Sequence, residues 1–151
     1  MADCDFLESF ACSSFTATCR AIVEEYFEQQ NFHVDRALSY AVRFSRNDVF
    51  VEFSHWPEDR PRFYLLVTIG ILNARGPNTE EDVPAWWLKT RGKQPEDSAT
   101  SEFRNAEQLE VVLRNMVPST LVPLVEPLMN DKSRLRQEID AFRDWADKNV
   151  H

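Results

Sequence analysis

Apolar and polar residues alternate through three consecutive runs between residues 38 and 72, and a period of two is the signature of half-buried strands. Tyr40, Val42 and Phe44 alternate with Ser39, Ala41, Arg43 and Ser45; residues 45–48 break the pattern, and Val49, Val51 and Phe53 resume it. Folding the chain at Arg46-Asn47 sets Phe44 opposite Val49, Val42 opposite Val51 and Tyr40 opposite Phe53. All six then share one side of an antiparallel hairpin. Arg43 and Glu52 fall on the other side as a diagonal ion pair, worth under about 1 kcal/mol. After a turn containing Pro57 and Pro61, the run from Phe63 to Leu72 is apolar on both sides. That pattern predicts a central strand whose second face needs cover, from residues 73–103, from the N-terminal arm or from a second copy of the chain.

The period changes to 3.6 on either side of these strands. Phe15, Cys19, Ile22, Val23, Tyr26 and Phe27 form one apolar stripe, predicting a helix over residues 14–30 with Ser13 or Ser14 as its cap and Asn31 at its exit. Residues 32–36 read as an extended lead-in, and residues 73–82 as an exposed loop. Val83 to Leu88 fits a short edge strand, since Pro84 suits an edge; a short helix with Pro84 in its first turn is the alternative. Residues 89–100 are polar and read as the mobile segment. Asn105 and Gln108 form a capping box ahead of a helix carrying Leu109, Val112, Leu113 and Met116, which Pro118 ends or kinks. A last helix starts at Asp131 or Ser133 and carries Leu135, Ile139, Phe142 and Trp145. The pattern predicts one α+β domain over residues 1–151, with residues 1–13 as an arm. Its core is an antiparallel meander of three to four strands packed against N- and C-terminal helices, in the order α-β-β-β-(β)-α-α-α.

Charge narrows the partners. Seventeen basic residues against 25 acidic ones give a net charge of −8, which repels nucleic acid and anionic membranes on average and favours a basic protein partner. No apolar run approaches the roughly 20 residues that span a bilayer. Cys4, Cys12 and Cys19 are odd in number and lack metal-ligand spacing, so they read as reduced thiols of a cytoplasmic protein. No phosphate-loop, dinucleotide, zinc-protease or calcium-loop motif occurs, and no cofactor or metal is expected. The paired acids, Glu24-Glu25 and Glu80-Glu81-Asp82 among them, read as solvated faces.

Candidate contact residues are therefore aromatic. Trp86 and Trp87, on a strand, would point to opposite sides; Trp56 and Tyr64 flank the turn between strands; His55 ends the second strand. Tryptophan is enriched where binding energy concentrates, so Trp56, Tyr64, Trp86, Trp87 and His55 are the expected binding surface. No catalytic residue is assigned. The order of elements, the strands at 38–44 and 49–53, and the stretch Ser101 to Leu109 entering a capped helix resemble small acidic bacterial α+β proteins without an assigned activity. Some acidic families of this general look neutralise toxins by binding them, so the resemblance implies a non-catalytic, immunity-like binding module. Two other expectations stand beside it: an enzyme or small-ligand binder with an aromatic pocket between sheet and helices, lined by His55, Tyr64 and a tryptophan; and a homodimer formed through the second face of residues 63–72.

Overall fold

A computed structural model of the chain describes residues 14–55, 63–93 and 101–149. The expected arm at residues 1–13, the Pro57–Pro61 turn, Trp56 and most of the 89–100 segment lie outside the described residues. The first helix, α1 (Phe15–Glu28), buries Phe15, Cys19, Val23 and Phe27 on one stripe. Ser14 precedes it without a side-chain capping bond, and Asn31 closes it in the left-handed region at φ 67°.

Five antiparallel strands follow in a meander: β1 (His33–Leu38), β2 (Ala41–Arg46), β3 (Val49–Ser54), β5 (Leu66–Leu72) and β6 (Glu80–Pro84), adjacent in that order. The strands are more numerous than the alternation alone predicts, because β1 is an edge strand with exposed positions on both sides and no apolar period, and the run from Phe63 to Leu72, expected as one strand, divides at Leu65. A two-residue strand, β4 (Phe63–Tyr64), leaves this sheet and pairs with β7 (Glu102–Phe103). The β2–β3 register differs from expectation by two residues: Arg46 faces Val49, Phe44 faces Val51 and Val42 faces Phe53. Asn47, at φ 56°, supplies the left-handed residue that lets Asn47-Asp48 alone make the turn. A two-residue slip keeps every side chain on its expected face, and Tyr40 moves to the β1–β2 turn, where it is exposed.

Beyond the sheet come α2 (Ala85–Thr90), α3 (Ala106–Met116), a nine-residue π-helix (Val117–Val125), α4 (Glu126–Met129) and α5 (Lys132–Asn149). The Asn105 side chain caps α3 by accepting from the Gln108 amide, while Gln108 reaches back to the Arg104 amide rather than to that of Asn105. Asp131 caps α5 by accepting from the Arg134 amide. Val42, Phe44, Val51, Phe53, Val67, Ile69, Ile71 and Val83 point to one face of the sheet and join the helical residues Phe15, Phe27, Leu109, Leu113, Leu121 and Leu135 in a single core. Among the described residues no helix is long and apolar enough to cross a membrane.

Candidate binding surface

The strand register defines what lies on the side of the sheet away from that core. One row across the strands reads His33, Ser45, Phe50, Gly70, Asp82; the next reads Arg36, Arg43, Glu52, Thr68, Pro84; Leu72 and Glu80 lie beyond the first. The described helices pack against the opposite side, so this outer face has no helical cover among the described residues and mixes charged side chains with Phe50 and Leu72.

Its centre is built around Phe50. The ring leans across β5 over Gly70, where an added Cβ would sit 2.6 Å from the ring and closer still to the Glu81 backbone carbonyl oxygen; only glycine leaves that space. Arg43 then arches over the ring, with its guanidinium 5.3 Å from the ring centroid. It donates to Asp35 on β1 and to Glu80 on β6, each at 2.8 Å. This strap spans the sheet from one edge strand to the other and leaves Phe50 1% exposed on a face that no described helix covers. Arg43 therefore bonds Asp35 and Glu80 in place of the expected pair with Glu52, which it faces directly across β2 and β3. Glu52 receives a longer contact from Arg36, at 3.4 Å.

The two arginines do not balance the acids. Asp35, Glu52, Glu80 and Asp82 share this face with Arg36 and Arg43. Desolvation raises the Glu52 carboxyl above its ordinary range, against the pull of Arg36 and Arg43. Asp82 has an exposed side chain, but the surrounding protein and the nearby Glu52 and Glu80 carboxylates raise it as well. Both acids sit on the β3–β6 half of the face, where the guanidiniums in reach, Arg36 and Arg43, come from β1 and β2.

Glu81, between these residues in sequence, points the other way. It lies on the core side of β6 and is buried. Arg75 from the β5–β6 connection and Arg136 from α5 bond to it, and Arg143 approaches within 3.4 Å. Burial alone would raise its carboxyl, but the arginines outweigh burial and lower it to about 2. The run 80–82 is thus no solvated acidic loop: it is a strand with alternating fates, and Glu81 is the joint between the sheet edge and α5.

The four described aromatic and histidine candidates do not converge. Trp56 lies outside the described residues. His55 is 2% exposed, boxed by the rings of Phe15 at 4.6 Å, Phe63 at 4.8 Å and Phe103 at 5.9 Å. Tyr64 is half-buried on β4, opposite Glu102. Trp86 and Trp87 lie on a helix, not a strand, because Pro84 ends β6 and its extended backbone precedes the first turn of α2. They therefore point about 100° apart and both meet α5: Trp86 packs on Phe142 and Trp145, and Trp87 packs on Phe142. Trp87 is buried under the Arg91 guanidinium, which is anchored by Glu138. Trp86 and Trp145 keep half-exposed edges.

Two further observations bear on chemistry. Burial pushes the Cys19 thiol up, away from the reactive thiolate. Among the described residues no group of three or more His, Cys, Asp or Glu side chains is arranged to hold a metal. An open cleft of about 800 Å³ lies on the helical side between α3, the π-helix, Lys89 of α2 and Glu102 of β7. It is not the pocket expected between sheet and helices, and His55, Tyr64, Trp86 and Trp87 are not among the residues that line it. No family model, no curated protein and no solved structure matches this chain.

Proposed function

We propose that this protein is a non-catalytic binding module that captures a basic protein segment on the outer face of its sheet, in the manner of an acidic immunity-type protein. One observation carries the reading. Among the described residues the sheet is roofed by helices on one side only, and its other side holds four carboxylates against two guanidiniums, with Glu52 and Asp82 raised by desolvation, Asp82 also by its acidic neighbours. A lysine or arginine set down over Thr68 would meet both carboxylates at once. The net charge of −8 adds long-range attraction for the same partner. A face-to-face homodimer through this surface is the weaker reading, because it would oppose carboxylates to carboxylates.

The test uses two peptides of equal length, one of alternating arginine and serine and one of alternating glutamate and serine. At low salt the cationic peptide should bind and shift the backbone amide resonances of Thr68, Gly70 and Asp82, and the anionic one should not. The double variant E52Q/D82N should lose about tenfold in affinity, as expected for two charge-assisted contacts. The control E110Q/D144N, which removes the same charge elsewhere, should change little. Equal losses in both variants, or shifts spread evenly over the molecule, would reduce the interaction to diffuse charge and overturn the reading.

A further inference from the structure

The cleft beside α3 carries an inference independent of the sheet face. Its floor is apolar and accessible: Val111 is 59% exposed, and Val112 and Met116 are half-buried beside it. Its end is polar. The π-helix follows α3 directly, with Pro118 in its first turn and Pro123 inside it. Its wider turn brings Ser119 and Thr120 to the cleft. Thr120 is a polar residue only 8% exposed that lines an open cavity. Ser119 is committed to the Asn115 carbonyl at 2.8 Å, and the two hydroxyls lie 3.3 Å apart. The Thr120 hydroxyl therefore retains capacity to accept from a bound molecule.

Charges of both signs border the same space. Lys89, at the last turn of α2, has no carboxylate partner among the described residues and lines the cleft. Glu107, in the first turn of α3, lines it too. An opposed pair of charges that do not bridge each other, separated by an apolar floor and hydroxyl and amide groups, is complementary to a molecule bearing both charges around an apolar body. The volume of about 800 Å³ falls within the range of small-molecule sites.

We propose that this cleft binds a zwitterionic amphipathic ligand of the amino-acid or short-peptide class. Lys89 meets the carboxylate, Glu107 meets the ammonium, and the apolar side chain lies on Val111 and Met116. Free amino acid and short peptide share this chemistry, and their sources are separated by comparing leucine with tri-leucine.

The experiment is a titration followed by amide chemical shifts of residues 107–120, using leucine, tri-leucine, leucinamide and N-acetyl-leucine with the full chain. Leucine or tri-leucine should shift these amides at millimolar concentration or below; whichever binds more tightly identifies the source. Lys89→Met should weaken the zwitterion about tenfold while leaving leucinamide, which lacks the carboxylate, unchanged. Glu107→Gln should do the same for the zwitterion while leaving N-acetyl-leucine unchanged. Val111→Asp should abolish binding of all four. These side chains are exposed, and unchanged thermal melting of each variant establishes that it folds. Absence of shifts with both leucine and tri-leucine, or equal affinity for the zwitterion and its two singly charged analogues, would overturn the proposal.

Discussion

Gly70 shows how one missing side chain organises a surface. It sits opposite Phe50 on β3 and Asp82 on β6, and the Phe50 ring and the Glu81 backbone carbonyl together fill the space its Cβ would take. Without that ring position Arg43 would have no platform to cross, and the strap from Asp35 to Glu80 would lose its support. Gly70→Ala is therefore expected to destabilise the fold by about 1–3 kcal/mol, the usual cost of overpacking a tight site. Urea unfolding measures it directly. The loss should shrink only in part in the background of Phe50→Ala, which vacates the ring's share of the clash and leaves the Glu81 backbone carbonyl in place; an additive double variant would show that the two residues do not share the site. None of this is legible in the sequence. Phe50 reads as a strand residue on the wet side, and Gly70 as one small residue in an apolar run. Their juxtaposition depends on the β3–β5 register, which lies across the turn rather than along the chain.

Elements with a strong period were readable, and those set by competition were not. The stripes of α1, α3 and α5 followed from 3.6-residue spacing because each buries one face against one core. The edge strand β1 reads only as an extended lead-in over residues 32–36, because it has no buried face to alternate. Trp86 and Trp87 turned with the chain at Pro84, where extended backbone and helix start compete over one residue. Glu81 was hidden among like neighbours, although its position in β6 makes it the ionic joint to α5. The sign of its pH dependence follows from a carboxyl held at about 2 in the fold against an unfolded value near ~4.3. A depressed carboxyl adds stability that is complete above the unfolded pKa and disappears as pH falls through the folded one. Glu81→Gln should thus lower stability at pH 7 by about 1–2 kcal/mol, as expected for weakening charge-assisted hydrogen bonds. The deficit should narrow from about pH 4.5 downward and vanish near pH 2. Denaturant midpoints at pH 7, 4 and 2.5 report it; a constant deficit across that series would mean that shape, not charge, holds β6 to α5.

At the scale of the whole molecule the two faces of the sheet have opposite electrostatic economies. On the core side the buried carboxylate Glu81 is met by three arginines. On the outer side Glu52 and Asp82 are raised, one despite nearby guanidiniums and the other among like charges. A bound cation would lower both carboxyls toward their ordinary range, so between the free and bound values association must release protons. Affinity for a basic segment is therefore expected to rise as pH climbs through the region just above ordinary carboxylate values and to level off once both groups are ionised. It should also fall with added salt, chiefly through a slower association rate, since exposed charges farther apart than about 8 Å are screened at physiological ionic strength. Calorimetry of the cationic peptide in two buffers of different ionisation enthalpy measures the proton release. The E52Q/D82N variant should remove that release while keeping most of the salt dependence that comes from the remaining acidic surface. The same proton release in the variant would place the cation elsewhere and return the raised carboxyls to the account of the strap and its neighbours.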